Sequence, residues 1–381
     1  MFFRQLDWVL IFSALMLVFL GLVTMKTFNP AAEVNAGGDY FFQRQLVWAF
    51  VGILAFLFAV FVDWSFLKTN SVFLFIIYLI LTLTLLVLLI TASAVKGAAS
   101  WFQVSSVSIE PVEIMKPVLV LLLAKYFSKR HVEMGRFIHL IASSFYVGIP
   151  TVFVVLQPDM GSALILGGIW LGMAFVSGIK IRHLFYLLLL GIFIALTLWI
   201  FFLLPYQKAR ILSFVSPESD IRGASYQALQ SVIAIGSGQI LGKGIGFGTQ
   251  SRLEFLPEHT TDFIFAAFAE EWGLLGMLII FFFFGIVIWR ILRAGIYGES
   301  NFEKLYASGL AILLFLQASI HMGMNAGILP ITGLGMPFLS YGGSSLISLF
   351  IALGILESFS LHKKGIYIGT EERYREGIMG V

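Results

Sequence analysis

Hydrophobic residues in this chain fall in long runs separated by short polar stretches, and the runs have the length of membrane spans. A helix crossing a bilayer needs roughly 20 mostly apolar residues. On that criterion spans are predicted near 8–25, 46–63, 71–91, 112–127, 137–157, 162–178, 184–205, 263–290, 304–326 and 346–362. The fourth is short, and the eighth is long enough to tilt or protrude. Two intervening stretches differ from ordinary connections. Residues 206–262 are long and polar, whereas 327–345 carry no charge and are interrupted by glycines 327, 333 and 335 and prolines 330 and 337. Those residues exclude a continuous helix. Apolar, non-helical backbone at membrane depth is tolerated only when buried in protein or lining a cavity, so a re-entrant segment is predicted there.

Composition points the same way. The chain is 59% hydrophobic and only 12% charged, where a soluble domain carries about a quarter charged residues. The predicted class is an all-α polytopic membrane protein with about ten transmembrane helices. A long outward-facing loop precedes the eighth and a re-entrant-like loop precedes the tenth. Residues 1–363 are predicted to form one membrane domain and 364–381 a cytoplasmic tail. The first run lacks a small-residue cleavage site and is expected to be retained as a span. The absence of cysteine excludes disulfides, thiolate metal sites and a cysteine nucleophile.

Charge sets the orientation. With both termini in the cytoplasm, 15 of the 24 Lys and Arg residues fall inside and 9 outside or near the outer interface. Five of the nine lie in 206–262, and long loops are less bound by the positive-inside rule than short ones. This orientation turns 92–111, 206–262 and 327–345 outward. No internal repeat is visible, which counts against an inverted-repeat transporter.

Ionisable residues inside a bilayer need a partner or a wet cavity. Glu113 and Lys116 are three apart on the short fourth span, hence on one helical face. They are expected either to neutralise each other or to line a charged, outward-opening cavity, where the ammonium could hold a pyrophosphate. Asp159 ends the fifth span at the outer interface. Trp101 is by default an interfacial aromatic. The glycine-rich GSGQILGKGIGFGTQ (236–250), with Lys243, offers either an anion-binding nest or simply a loop shaped by glycine; its spacing is not that of a Walker loop. The histidines show no metal-ligand spacing, and His321 is expected to be a hydrogen-bonded helix contact.

The densest chemistry lies in LEFLPEHTTDFIFAAFAEE (253–271), where Glu254, Glu258, Asp262, Glu270 and Glu271 gather at the junction of the polar stretch with the eighth span. Glu270 and Glu271 are expected to be structural. Three roles are open to Asp262 from the residues alone. It could cap the helix that follows, couple a cation, or serve as a general base with a pKa raised by neighbouring charge and partial burial.

Four segments carry a family resemblance: QPDMGSA (157–163), SVIAIGSGQILGKGIGFGTQ (231–250), LEFLPEHTTDFIFAAFAEEWG (253–273) and GILPITGLGMPFLSYGGSS (327–345). The chain resembles the SEDS family of shape, elongation, division and sporulation proteins over nearly its whole length. GKG followed by GTQ, then FLPE and TDFIF, is more similar to the elongation branch than to the division branch. The resemblance implies a glycosyltransferase that polymerises lipid II at the outer face of the cytoplasmic membrane, working with a class B penicillin-binding protein that supplies the transpeptidase. It implies Asp262 as the base on the acceptor sugar hydroxyl and undecaprenyl pyrophosphate as the leaving group. Lys116, Arg210 and Lys243 become candidates for holding the pyrophosphate, and Glu113, Asp159, Trp101, Glu254 and Glu258 for shaping the site. No cofactor is required; a divalent cation such as Mg2+ could offset charge. The family's usual GAxRW reads GAASW here, with Ser100 in place of an arginine, and PExHTD reads PEHTTD at 257–262. The competing expectations are a lipid II flippase and a noncatalytic scaffold for the penicillin-binding protein.

Overall fold

The computed structural model describes residues 6–27, 40–91, 101–104, 107–130, 137–202, 208, 224–253, 255–256 and 258–378. Each predicted run coincides with a helix. The chain forms α1 (Trp8–Thr27), α2 (Tyr40–Phe61), the single turn α3 (Phe66–Thr69) and α4 (Ser71–Thr91). A short hairpin follows, β1 (Phe102–Val104) antiparallel to β2 (Val107–Ile109), with Phe102 opposite Ile109. Then come α5 (Pro111–Arg130), α6 (Phe137–Leu156), α7 (Met160–Val176) and α8 (Ile181–Thr197), which loosens into a π turn at Leu198–Phe202. Two further helices, α9 (Ala224–Ser237) and α10 (Thr249–Arg252), lie in the stretch predicted as loop. The chain closes with α11 (Ile264–Ile296), α12 (Asn301–Asn325) and α13 (Gly343–Ile378). Seven of these helices are long and apolar enough to cross a membrane, and α7 is a shorter apolar helix. The protein is an all-α polytopic membrane protein, as its hydrophobic runs predict.

Helix α9 escapes a hydrophobicity reading because it docks through small residues. Ser225, Ser231 and Ala234 are buried while Leu229, Val232 and Ile233 remain exposed, the reverse of a soluble amphipathic helix. Ser231 donates its hydroxyl hydrogen to the Asn325 carbonyl (2.8 Å), fixing α9 to the end of α12.

Helix α12 occupies the centre, packed on α5, α7 and α11. Small residues allow the close approach: Gly309 meets Val120 and Met173, Gly168 meets Leu316 and Gly172 meets Ile312. The last pair of glycines is the small-residue pair of the sixth predicted span, used here for helix packing. At one end of the bundle Asp7 pairs with Arg290 (2.5 Å), and its amide donates to Glu357 (3.0 Å). The start of α1 is thereby tied to the far part of α13. Glu357, a costly charge within an apolar run, is accounted for by that contact.

Helix α11 is broken. At Gly273 the backbone takes φ 64° and ψ −162°, a region open essentially to glycine alone. The break leaves carbonyls and amides without helical partners, and the glycine-rich loop supplies them. Lys243 N donates to Glu270 O (3.0 Å) and Gly244 N to Glu271 O (3.1 Å), while Leu274 N and Leu275 N donate to Gln239 O (2.9 Å) and Ile240 O (3.2 Å). The loop is thus a backbone splice, and two of its amides are committed to the helix rather than open to an anion. The fit is close: a Cβ on Gly242 would lie 2.1 Å from the Glu271 carbonyl oxygen.

The break turns the half-helix 264–272 back into the bundle. Thr27, the last residue of α1, donates to Glu271 (2.9 Å). Thr261 at the other end of the half-helix meets Ser340 (2.8 Å), whose neighbour Leu339 abuts Gly21. Six helical residues separate Gly21 from Thr27, about 9 Å of rise, so Asp262 is recessed below the end of α1.

A graded glycine series tests the splice. Gly242→Ala is expected to lower the melting temperature in detergent most, because a backbone clash adds to its positive φ. Gly246→Ala, also at positive φ but with no atom within 4 Å, is expected to cost only about 1–2 kcal/mol. Gly236→Ala, in open helical space, is expected to be neutral or stabilising. Equal losses for the first two would refute the splice.

Candidate active site

Asp262 ends a tight turn. Glu258 has φ +53°, and its carbonyl accepts from Thr261 N (3.2 Å) and Phe263 N (3.1 Å). Thr261 Oγ1 also lies 3.3 Å from the Glu258 carboxylate. Three backbone carbonyls of the turn are held from outside it. Tyr341 N donates to Thr260 O (3.0 Å), Ser340 Oγ to Thr261 O (2.8 Å), and Asn325 Nδ2 to Asp262 O (2.9 Å). Ser340 O is itself bonded by Gln45 Nε2 on α2 (3.1 Å).

The cap position of α11 falls on Phe263, which makes no side-chain cap bond. Asn325 Oδ1 instead accepts from Ala266 N (3.1 Å). A fully buried amide from another helix therefore satisfies an amide in the first turn of α11. The half-buried Asp262 carboxylate lies against the apolar loop, where a Cβ on Gly333 would stand 3.8 Å from Oδ2.

That loop is non-helical from 327 to 342, as predicted, and is buried through Leu334, Met336, Phe338 and Leu339. One face of α12 anchors it. Gln317 Nε2 donates to Gly335 O (3.0 Å), and His321 Nδ1 bonds Leu334 O (2.6 Å). His321 is a structural hydrogen-bonded contact. Asn325 continues the same i, i+4, i+8 row, which joins the loop and Asp262 to a single helix.

A second charged group forms at the start of α5. Lys116 Nζ bonds Glu113 Oε1 at 2.5 Å, with the lysine side chain only 1% exposed. Asp159 caps α7 by accepting from Ser162 N (3.0 Å). Glu110, which the sequence reading did not single out, joins these groups. Trp101 donates to its side chain, and the charges of Glu113, Asp159 and Lys116 all act on it. Burial first, then Glu113 and Asp159, push the Glu110 carboxyl well above its ordinary value of 4.5, against the pull of Lys116. Burial likewise raises Asp159, opposed by its Ser162 hydrogen bonds and by Lys116. The only advance signal was the spacing EPVE, with carboxylates three positions apart.

The loop is the common wall of the two groups. A Cβ on Gly161, two residues beyond Asp159, would touch Thr332 O and Leu334; Gly333 between them faces Asp262. Below Glu110, whose amide bonds Ser344 Oγ (3.1 Å), a groove of about 300 Å³ is lined by Trp48, Ile114, Val118, Leu121, Ser344 and Ile351 among others. It is almost wholly apolar.

Other predicted residues lie elsewhere. Lys243 pairs with the fully buried Glu270 (2.7 Å) and bonds Thr249 (2.8 Å). Glu270 also accepts from Thr249 N (2.9 Å) and Gln250 N (3.1 Å), so its role is structural, as anticipated. Glu270 lies six residues beyond Ile264, the first of the helix, roughly 9 Å of rise from the end that Asp262 adjoins. Arg210, Glu254 and Ser100 lie outside the described residues. No cluster of three or more His, Asp or Glu suited to a metal occurs among the described residues.

The site thus combines a half-buried carboxylate on a pinned turn, a charged cluster and an apolar groove within a polytopic membrane protein. A family model described as cell cycle protein, covering FtsW, RodA and SpoVE, matches residues 7–365, and the chain belongs to that SEDS family. It is 33% identical to the stage V sporulation protein E of Bacillus subtilis over 94% of this chain and 98% of the relative. It is 38% identical to the peptidoglycan glycosyltransferase MrdB of Escherichia coli K12, over 71% of this chain and 72% of the relative. Among solved structures, a chain of a peptidoglycan synthase complex that coordinates polymerization and crosslinking is similar with a TM-score of 0.76. It is 28% identical, covering 93% of this chain and 97% of that one.

Two predictions probe the cluster. A carboxyl with a raised folded-state pKa binds protons more tightly than in the unfolded chain, so stability falls as pH rises above 4.5. Glu110→Gln is therefore expected to raise the melting temperature near neutral pH, the gain vanishing as pH falls towards the ordinary carboxylate range; a pH-independent difference would refute this. Lys116→Met breaks a buried pair and is expected to destabilise by about 3–5 kcal/mol, with partial recovery when Glu113→Gln is added, read by chemical denaturation in detergent.

Proposed function

We propose that this chain is a peptidoglycan glycosyltransferase that polymerises lipid II at the outer face of the cytoplasmic membrane, serving cell elongation. The observation that carries the reading is the half-buried Asp262 carboxylate, carried on a turn whose three carbonyls are held by Tyr341, Ser340 and Asn325 and set against the apolar loop at Gly333. A general base needs such a fixed position, because small displacements cost large factors in rate.

In the proposed reaction Asp262 takes the proton from the 4-hydroxyl of the acceptor lipid II sugar. The oxygen attacks the anomeric carbon of the lipid-linked strand, a new glycosidic bond forms, and the bond to undecaprenyl pyrophosphate breaks, its electron pair leaving with the pyrophosphate. Lys116, Arg210 and Lys243 are the cations proposed to receive that charge. Lys116 is best placed, because it belongs to the cluster sharing the loop wall with Asp262. Lys243 would first have to give up Glu270. Glu113, Asp159, Trp101, Glu254 and Glu258 shape the site, and the apolar groove beside Glu110 suits a polyprenyl chain.

The outward orientation is supported by the excess of Lys and Arg on the side predicted to carry both termini, 15 against 9. The partner is proposed to be a class B penicillin-binding protein. Support comes from the likeness to a chain of a complex that coordinates polymerization with crosslinking.

The test is polymerisation of purified lipid II by the reconstituted chain, with and without its transpeptidase. Asp262→Asn is expected to lower glycan synthesis by about 100-fold or more while the protein stays folded and its binding of lipid II is retained. Undiminished glycan product would sink the assignment of Asp262. Lipid II transport across vesicles without any polymerisation by the wild-type chain would replace the enzyme with a flippase.

A further inference from the structure

We propose that Asn325 is the positioning residue for Asp262, setting where the base stands through its backbone rather than through its carboxylate. The inference rests on the general-base reading above. Three bonds from one fully buried side chain carry it. Asn325 Nδ2 donates to the carbonyl of Asp262 (2.9 Å) and to its own helix at His321 O (2.8 Å). Its Oδ1 accepts from Ala266 N (3.1 Å). Both amide hydrogens and the oxygen are used, which fixes the orientation of the amide plane.

The consequence is geometric. Asp262 is bracketed on both sides by one side chain, through its own carbonyl and through the amide four residues on. A shift of α12 therefore moves the start of α11 and the base together. The same helix face holds the opposing wall, because His321 bonds Leu334 O (2.6 Å) and Gln317 bonds Gly335 O (3.0 Å). Gly333, between Thr332 and Leu334, is the residue facing the Asp262 carboxylate. The gap between base and wall is thus set along one helix, by residues 317, 321 and 325.

Asn325 does not touch the reacting atoms, so its removal is expected to act on turnover more than on substrate binding. Asn325→Ser shortens the side chain so that it spans neither bond, and is expected to lower kcat by about 10- to 100-fold with KM for lipid II changed by less than about threefold. Asn325→Asp is nearly isosteric. It keeps an oxygen for Ala266 N but loses both donors and places negative charge next to Asp262, which raises a carboxyl pKa. Its acid limb in the pH dependence of kcat/KM is expected to move upward by about one unit or more.

Both variants are measured on the full-length chain in lipid nanodiscs with purified lipid II, and rates are normalised to folded protein by size exclusion. Wild-type kcat in folded Asn325→Ser, or an unshifted acid limb in Asn325→Asp, would overturn the proposal. Should Asn325→Asp fail to fold, the kcat against KM split in Asn325→Ser decides alone. The two readings separate cleanly. Retained activity in Asp262→Asn removes the base itself, whereas a dead Asp262→Asn with a wild-type Asn325→Ser removes only the positioning role.

Discussion

Backbone that leaves the helix inside a membrane has no water to turn to, and every such amide and carbonyl must find a partner within the protein. That constraint organises the site. The break in α11 at Gly273 is closed by four backbone bonds from the glycine-rich loop. The re-entrant segment is held by side chains of α12 and α2. The turn that carries Asp262 has its carbonyls taken by Tyr341, Ser340 and Asn325. The result is a non-helical centre whose backbone is tied to the helices around it, with the Asp262 carboxylate at its edge.

Polar residues within the hydrophobic runs do the tying, and they divide into two kinds. Gln45, Gln317, His321 and Asn325 are neutral, buried and spent on backbone. Several charged residues pair: Asp7 with Arg290, Lys116 with Glu113, Lys243 with Glu270. The group around Glu110 departs from this balance, since three carboxylates share one lysine. An arriving cation or a proton would relieve that excess, and a pyrophosphate would meet Lys116 only at the cost of its bond to Glu113.

Hydrophobicity and helix length, which depend on neighbours in sequence, were open to prediction: ten runs became helices and the glycine–proline segment stayed irregular. What depends on distant partners was not. The glycines of 236–248 resemble an anion nest until the broken helix that consumes their amides is known. Helix α9 hides because its buried face is serine and alanine. The tie between the Asp262 carbonyl and Asn325 could not be read in advance, because the two lie 63 positions apart. Glu110 drew no attention because its charged neighbours come from a different helix and a hairpin.

The row on α12 also orders how the site comes together. Gln317 and His321 bind loop residues only 18 and 13 positions downstream, so the wall can dock as soon as it follows its helix out of the translocon. The turn bearing Asp262 is made earlier and waits for α12, since its link to Asn325 closes a loop of 63 residues, entropically the costlier step. Asp262 is thus among the last groups to be placed. A chain halted before α12 would hold every hydrophobic span up to the eighth, yet lack the buried amide that binds the Asp262 carbonyl.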